Sequence, residues 1–80
     1  MKFRVSITRR KGLRDPEGVA TLRALTDLDY REVTEVHFGR IITVEMTGDD
    51  PVAARTEVVE MCERLLANPV IEDYVVELVE

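Results

Sequence analysis

Residues 32–47 read EVTEVHFGRIITVEMT and predict two consecutive β-strands in the middle of an 80-residue chain. Apolar and polar residues alternate on both sides of Gly39-Arg40, and a period of two is typical of strands with one buried face. A two-residue turn at Gly39-Arg40 would place the two apolar sets on opposite faces of the hairpin. We therefore expect a bulge or a three-residue loop at Gly39, which would align Phe38 with Ile42.

A helix is predicted on each side of this hairpin, and both helices begin with Asp-Pro. In Asp15-Pro16 and Asp50-Pro51 the carboxylate can cap free backbone N–H groups, and proline suits the first helical position because its missing N–H needs no partner there. Each helix has one apolar face: Gly18, Val19, Leu22, Leu25 and Leu28 in the first, and Ala54, Val58, Met61, Cys62, Leu65 and Leu66 in the second. The second helix is expected to end at Asn68-Pro69, because asparagine tolerates the left-handed conformation found just past helices.

Gly18 is an unusual choice for the apolar face of the first helix. A glycine inside a helix lowers its stability by up to about 1 kcal/mol relative to alanine. Its presence indicates that another part of the chain approaches the helix backbone closely at this position.

The two ends of the chain complete the predicted sheet. Residues 2–8 alternate strictly between apolar and polar, and residues 74–79 form an apolar final strand. The order is therefore β-α-β-β-α-β, in which two helices with one apolar stripe each can cover one face of a four-stranded sheet. We predict a single α+β domain over residues 1–80, a two-layer plait of ferredoxin-like type with an antiparallel sheet.

The other face of this sheet would be left uncovered, with apolar side chains among polar neighbours: Val33, Ile41, Val75 and Val79. Monomers rarely expose such a patch, so this face, or the edge strand beside it, is the candidate surface for self-association. A chain of this length has a small core, and small domains often need a disulfide, a metal or a partner subunit. With one cysteine the chain has no internal disulfide, and with one histidine in addition there is no set of zinc ligands. Oligomerisation is therefore expected to provide the additional stability.

The net charge of −5 argues against general affinity for nucleic acid or for an anionic membrane surface. The charge is uneven, because all charged residues within 1–14 are basic, whereas residues 57–80 contain Arg64 as their one base among many acids. Either the two ends neutralise each other within one sheet, or they form an electrostatically directed docking surface. No stretch reaches the ~20 apolar residues of a membrane-spanning helix, and a lone thiol fits a reducing compartment, so we expect a cytoplasmic protein.

Cys62 and His37 are the residues best able to carry chemistry, and neither has the neighbours in the sequence that a catalytic site requires. Cys62 falls within the apolar stripe of the second helix, so a buried core thiol is favoured over a nucleophile. His37 alternates with core residues and is expected at the surface or at an interface rather than as a base. A glycine-rich phosphate loop is absent, and we predict no catalytic, cofactor-binding or metal-binding residues.

Residues 60–74, EMCERLLANPVIEDY, form the most distinctive motif of the chain. They closely resemble the C-terminal signature of the PurS family, the small subunits of phosphoribosylformylglycinamidine synthase. Residues 15–18, DPEG, resemble the family's Asp-Pro-Gln-Gly helix start, and residues 38–41, FGRI, resemble its Gly-Lys turn. The resemblance spans nearly the whole chain. Its C-terminal motif is specific, whereas the other two motifs would be weak alone.

The resemblance implies a non-catalytic role in purine biosynthesis, beside a large synthetase subunit (PurL) and a glutaminase subunit (PurQ). In this family the glutaminase releases ammonia from glutamine. The synthetase uses ATP and Mg²⁺ to activate the formamide oxygen of formylglycinamide ribonucleotide, which ammonia then displaces. The small subunit is expected to hold the partners together and to help guide ammonia, without binding a cofactor itself. A homodimer or homotetramer is also expected.

The positions that match the family motifs are candidate interface residues: Asp15, Gly18, Gly39, Arg40, Asn68, Pro69, Glu72, Asp73 and Tyr74. A sharp helix exit at Asn68-Pro69 would make the residues that follow project at one place. Tyr74 has an apolar ring and a polar tip, a combination favoured at interfaces. The alternative is that these residues serve only as helix caps, helix stop and core.

Two positions depart from the family pattern. Glu17 replaces glutamine and adds a charge that suits the first turn of a helix, and Arg40 replaces lysine, which keeps the charge but changes the donor geometry. The rival function is a stand-alone dimeric regulatory domain that binds a small molecule between chains. A small catalytic domain is the third possibility, and it predicts turnover by the isolated chain.

Overall fold

Three strands and two helices follow one another in the computed structural model, which describes residues 1–80. They are β1 (Lys2–Arg9), α1 (Pro16–Asp27), β2 (Gly39–Glu45), α2 (Pro51–Met61) and β3 (Glu72–Leu78). The sheet has the order β2-β1-β3, and β1 is antiparallel to both neighbours. The predicted α+β class is therefore confirmed, and β1 is the central strand.

The core lies between α2 and one face of this sheet. Alternate residues of β1 point to that face, and Phe3, Val5 and Ile7 are at most 1% exposed. The remaining buried apolar residues come from α2, the segment after it, and β3: Ala54, Val58, Cys62, Ala67 and Val76. β1 is the most completely buried strand because it has a strand on each side and α2 above it.

Residues 32–38 do not form the predicted strand, so the sheet has three strands and not four. The predicted hairpin with a bulge at Gly39 is also wrong. Gly39 is the first residue of β2, and it pairs with Thr8 of β1 and not with a preceding strand. The Phe38 N–H donates instead to the Asp15 carboxylate, at 2.8 Å. The Phe38 N–H, which a hairpin would pair with a neighbouring strand, is thus hydrogen-bonded to the residue that caps α1. Val33, which we expected on the open face of the sheet, lies outside the sheet.

α1 does not cover the sheet, and the prediction of two helices on one sheet face is wrong for this helix. Residues 10–38, which include α1, form an extension that we call the arm. The radius of gyration is 16.2 Å and the longest axis is 50 Å, whereas a compact domain of this length would have a radius of about 12 Å. The apolar stripe of α1 therefore remains open: Val19 is 45% exposed and Leu28 is 68% exposed.

The end of α2 differs in detail from the prediction. The helix continues into one π-helical turn, Cys62–Leu66, in which the Ala67 N–H donates to the Cys62 carbonyl at 3.1 Å. The chain then leaves the helix because Ala67 is extended (φ −125°, ψ 156°). Asn68 does not adopt the predicted left-handed conformation. Its side chain instead accepts the Val70 N–H at 3.1 Å and turns the chain towards β3.

Candidate partner interface

The candidate interface residues lie together at one end of the sheet, which we call the junction end. Since β1 is antiparallel to both neighbours, its last residues lie beside the first residues of β2 and β3. In the strand register Thr8 lies opposite Gly39 of β2 and opposite Asp73 of β3, and Arg9 lies opposite Glu72 of β3. The arm leaves the sheet at this end, and the loop from α2 to β3 enters here. Topology thus brings together motifs that are far apart in the sequence.

Asp15 ties the start of α1 to the segment that enters β2. Its carboxylate accepts the Gly18 N–H at 3.0 Å as a helix cap and the Phe38 N–H at 2.8 Å. These hydrogen bonds, the one from Phe38 first, hold the pKa of Asp15 below its ordinary value of 3.8. The close approach predicted at Gly18 is confirmed, because the backbone of Val36 lies directly against it. Asp15 and Gly18 therefore form the base of the arm.

Arg40 and Glu72 form an ion pair at the centre of the junction end, which we call the latch. The Arg40 guanidinium contacts both carboxylate oxygens, at 2.6 and 3.0 Å, and donates to the Leu66 carbonyl at 2.9 Å. The Asn68 N–H donates to the same carboxylate at 2.8 Å. The contact with Arg40 is the main reason that the pKa of Glu72 lies below its ordinary value, and the same contact raises the pKa of Arg40. The latch fixes β2, the end of the helix and β3 relative to one another.

The geometry of the latch explains what arginine contributes at position 40. A planar guanidinium can contact two carboxylate oxygens at once and still donate to a carbonyl. A lysine ammonium is a point charge and does not match both carboxylate oxygens in this way. Arg40 therefore makes a bidentate contact with Glu72 that the lysine expected from the motif resemblance could not make.

Two more contacts involve candidate residues of β3 and the loop before it. The Tyr74 hydroxyl donates to Glu63 at 2.5 Å, and this bond is the main reason that the pKa of Tyr74 is raised to about 12. The tyrosine is half-buried on the α2 side of the sheet and does not project freely. Asp73 lies 3.4 Å from Arg10, whose guanidinium also donates to the Pro69 carbonyl.

The sequence did not identify Arg10 and Glu63 as members of this cluster. Arg10 belongs to the basic run of residues 9–14, and that run is the only feature of the sequence that could have indicated its contact with Asp73. Glu63 is not part of the apolar stripe predicted for the second helix, and its contact with Tyr74 depends on the register of β3 beneath that helix. No pattern within the sequence could have indicated it.

The groups with intrinsic reactivity lie apart from one another. Cys62 is 0% exposed, and burial raises the pKa of its thiol. His37 is exposed and lies 3.0 Å from Glu35. No three His, Cys, Asp or Glu side chains are grouped so that they could hold a metal ion.

Neither helix has the length and apolar composition required to cross a membrane. At the junction end Arg40 pairs with Glu72 and Arg10 pairs with Asp73, beside a depression of about 230 Å³.

Comparison with known proteins identifies relatives over nearly the full length of the chain. The PurS family model, described as phosphoribosylformylglycinamidine (FGAM) synthase, matches residues 2–80. Phosphoribosylformylglycinamidine synthase subunit PurS of Bacillus subtilis is 40% identical, over 99% of this chain and 93% of that protein.

Solved structures agree with this assignment. The crystal structure of PurS from Methanocaldococcus jannaschii, one of the subunits of formylglycinamide ribonucleotide amidotransferase in the purine biosynthetic pathway, superposes with a TM-score of 0.83. Its sequence is 42% identical, and the match covers 99% of this chain and 98% of that one. A chain of the PurLQS structure from Thermotoga maritima superposes with a TM-score of 0.86 at 33% identity, over 95% of this chain and 93% of that one. The resemblance noted in the sequence motifs is confirmed, and the chain belongs to the PurS family of phosphoribosylformylglycinamidine synthase subunits.

Proposed function

We propose that this chain is the non-catalytic small subunit of a phosphoribosylformylglycinamidine synthase complex, in which it holds a glutaminase subunit (PurQ) and an ATP-dependent synthetase subunit (PurL) together. The observation that carries the proposal is the superposition, over 95% of its length, on a chain of the PurLQS structure from Thermotoga maritima. In this role the chain assists ammonia transfer from the glutaminase to the synthetase. ATP and Mg²⁺ are used by the synthetase, the chain itself binds no cofactor, and the complex works in the cytoplasm of the cell.

A scaffold role fits the chemistry of the side chains. The one thiol is buried in the core with a raised pKa, and a neutral buried thiol is a poor nucleophile. Two pairs of charged groups of the junction end are engaged with each other, Arg40 with Glu72 in the latch and Arg10 with Asp73. Such pairing holds loops and strand ends in fixed positions, which is what a surface that docks against other subunits requires.

We assign partner contact to the junction end and to the candidate interface residues there. Two large apolar side chains in the segment that leads from α2 to Glu72 support this assignment: Leu65 is 82% exposed and Val70 is 74% exposed. Protein interfaces combine an apolar centre with a polar rim that sets the orientation of the partners. Leu65 and Val70 supply the apolar part, and the charged residues of the junction end supply the rim.

Self-association into a homodimer or homotetramer is the second part of the proposal. On the sheet face opposite α2, Ile41 and Val75 flank Ser6 in register, and they are 66% and 58% exposed. The apolar stripe of α1 is also open, since α1 packs on neither the sheet nor α2. A second copy of the chain would bury both surfaces and enlarge a core that is small for one domain. We regard the single domain over residues 1–80 as the unit that associates.

The test combines assembly with activity. The chain is mixed with its own synthetase and glutaminase subunits, ATP-Mg²⁺ and glutamine, and the mass of the products is measured by size-exclusion chromatography with light scattering. The chain alone is run in parallel, to determine whether it is a dimer or a tetramer. Synthase activity is then measured with glutamine and with an ammonium salt as the nitrogen source, each with and without the chain.

We expect a larger complex, and glutamine-dependent activity that requires the chain while ammonia-dependent activity of the synthetase does not. Absence of a complex, together with activity that is indifferent to the chain, would contradict the proposal. In that case a metabolite that raises the melting temperature of the isolated chain would identify it as a small-molecule-binding regulatory domain instead.

A further inference from the structure

Residues 31–37 form no backbone hydrogen bond within the chain, although they lie directly before β2. Residues 33–38 belong to no helix, strand or turn. Their composition is nevertheless that of a strand, because Val33, Thr34 and Val36 are β-branched and residues 35–38 alternate between polar and apolar. The segment therefore has the sequence of a strand and no partner strand in its own chain.

The free edge of β2 continues this unpaired segment. Met1 and Met46 exchange two backbone hydrogen bonds, so every second pair of the register between β1 and β2 does the same, as Val5 and Ile42 do. The remaining residues of β2 point their N–H and C=O groups away from β1, to a side where the sheet has no further strand. These residues are Gly39, Ile41, Thr43 and Glu45.

β2 lacks the features that protect an edge strand from pairing with another chain. Its sequence, GRIITVE, contains no proline or lysine, and no bulge interrupts its register with β1. The charge of Arg40 is engaged in the latch. The other edge strand differs, because the Arg55 side chain donates to the Val76 carbonyl of β3 at 2.5 Å. β2 is therefore the edge that is open to a further strand.

We propose that residues 33–45 of one chain pair antiparallel with the same residues of a second copy, about a two-fold axis at Gly39. The unpaired segment of each chain then joins the free edge of β2 in the other chain, and one continuous sheet runs through both copies. Main-chain pairing of this kind is a known mode of protein recognition. The inference rests on self-association, the second part of the proposed function, and names the strand that carries it.

The side chains favour this register over its neighbours. With the axis at Gly39, Val36 lies opposite the partner's Ile42, and pairs of β-branched residues stabilise a sheet. No like charges then lie directly opposite each other between residues 33 and 45. An axis at Arg40 would place two arginines opposite each other, which is destabilising. An axis at Phe38 would place Val36 opposite the partner's Arg40 and lose the apolar pair.

The pairing also covers apolar side chains that one chain leaves open. Residues directly opposite each other point to the same face of a sheet, and Ile42 packs against the core below α2. Val36 and Phe38, which is 44% exposed, would therefore extend the core of the partner. α1 is tied to this segment at Asp15 and Gly18, so its open apolar stripe is brought to the partner with it.

The first test introduces two cysteines, Val36→Cys with Ile42→Cys, in the full-length chain. In the proposed dimer these positions form a non-hydrogen-bonded pair with Cα atoms about 4.5 Å apart, which suits a disulfide. Within one extended segment they would be about 20 Å apart. After mild oxidation, the covalent dimer is quantified on a denaturing, non-reducing gel, and mass spectrometry identifies the linked peptides. The control is Val36→Cys with Val44→Cys, and the buried Cys62 is retained in both variants.

The second test uses proline and needs no cysteine. Thr43→Pro removes an N–H that faces the free edge of β2, so the hydrogen bonds between β1 and β2 are kept. The control is Leu78→Pro on β3. The Leu78 N–H also faces away from β1, because it is the next residue, Val79, that donates to Lys2. Sedimentation velocity measures the dissociation constant of each dimer, and circular dichroism verifies that both variants are folded.

We expect most of the Val36→Cys, Ile42→Cys chain to become a covalent dimer, at least about tenfold faster than the control pair. Thr43→Pro should weaken the dimer at least about tenfold, and Leu78→Pro less than about twofold. The inference would be overturned if the two cysteine pairs reacted at the same rate, or if the two proline variants were weakened equally, even though the wild-type chain is a dimer. A wild-type chain that sediments as a monomer at every concentration would overturn self-association itself, and that result is distinguishable from the others.

Discussion

The carbonyl oxygen of Val36 lies 1.9 Å from the position that a Cβ atom on Gly18 would occupy. The same helix start is also held by Asp15, which accepts N–H groups from Gly18 and Phe38. Two backbone segments therefore meet at a point where no side chain fits. This contact closes the base of the arm and sets the direction in which the chain enters β2.

The first prediction concerns Gly18→Ala. Alanine at an unobstructed helix position raises stability by about 1 kcal/mol, but here its methyl group would collide with backbone that cannot rotate away. We expect the free energy of unfolding to fall by about 1–3 kcal/mol, as measured by urea denaturation at one fixed protein concentration. The control is Ala20→Gly at an exposed position of the same helix, which should lose about 1 kcal/mol. A gain in stability from Gly18→Ala would mean that the two backbones are not in contact in solution.

The second prediction concerns the latch. Glu72→Gln removes the charge that Arg40 contacts through both carboxylate oxygens, and we expect it to lower the free energy of unfolding by about 1–2 kcal/mol. Arg40→Lys should lose part of this stability, because lysine keeps the charge but not the two-point contact. The double variant should lose less free energy of unfolding than the sum of the losses in the two single variants, since both substitutions remove the same interaction. Glu57→Gln, at an exposed position without an ion pair, serves as the control and should change little. Strict additivity of the two latch substitutions would show that the residues do not interact.

The third prediction is loss of stability in acid. Glu72 and Asp15 have pKa values below their ordinary 4.5 and 3.8 because they accept hydrogen bonds in the folded chain, from Arg40 and Asn68 and from Phe38 and Gly18 respectively. Above pH 4.5 both carboxyls are ionised in the folded and the unfolded chain, and their stabilising effect is complete. Below that pH the unfolded chain binds protons first, so stability declines, and the effect is lost once the folded carboxyls are also protonated.

Chemical denaturation between pH 7 and pH 3 measures this decline. Its slope should be smaller in Glu72→Gln than in wild type below pH 4.5, because that variant lacks one of the two groups. An unchanged slope in Glu72→Gln would contradict the assignment of the acid sensitivity to the latch.

The fourth prediction concerns the titration of Tyr74. The hydrogen bond to Glu63 favours the neutral phenol and raises the pKa of Tyr74 to about 12, from an ordinary value of 10. In Tyr30→Phe the absorbance of the phenolate reports on Tyr74 alone, because the chain has two tyrosines. We expect a midpoint near 12, and a lower midpoint after the further substitution Glu63→Gln. Since the folded pKa is the higher one, this bond stabilises the chain fully below pH 10 and is lost as the pH rises towards 12. A midpoint near 10 in Tyr30→Phe would indicate that the bond is not formed in solution.

Features that depend on neighbours in the chain could be predicted from the sequence. The Asp15-Pro16 and Asp50-Pro51 helix starts are present as expected, since a cap involves residues two or three positions apart. The alternation in residues 2–8 correctly indicated β1 and its buried face. The motif at residues 60–74 correctly indicated the family, because it is long enough to be specific. In each case the information lies within one short segment.

The structure alone determined which segments pair and which surfaces are covered. Residues 32–38 have the alternation of a strand, yet they lie against the start of α1, because Asp15 and Gly18 provide contacts for Phe38 and Val36 there. Likewise, the candidate residues could be named from the motifs, but not the latch, which joins Arg40 to a partner 32 positions away. Periodicity states which side of a segment is apolar. Whether that side meets the sheet, a helix or another molecule is determined by the competition among distant partners for the same backbone and side-chain groups, and only the folded chain resolves that competition.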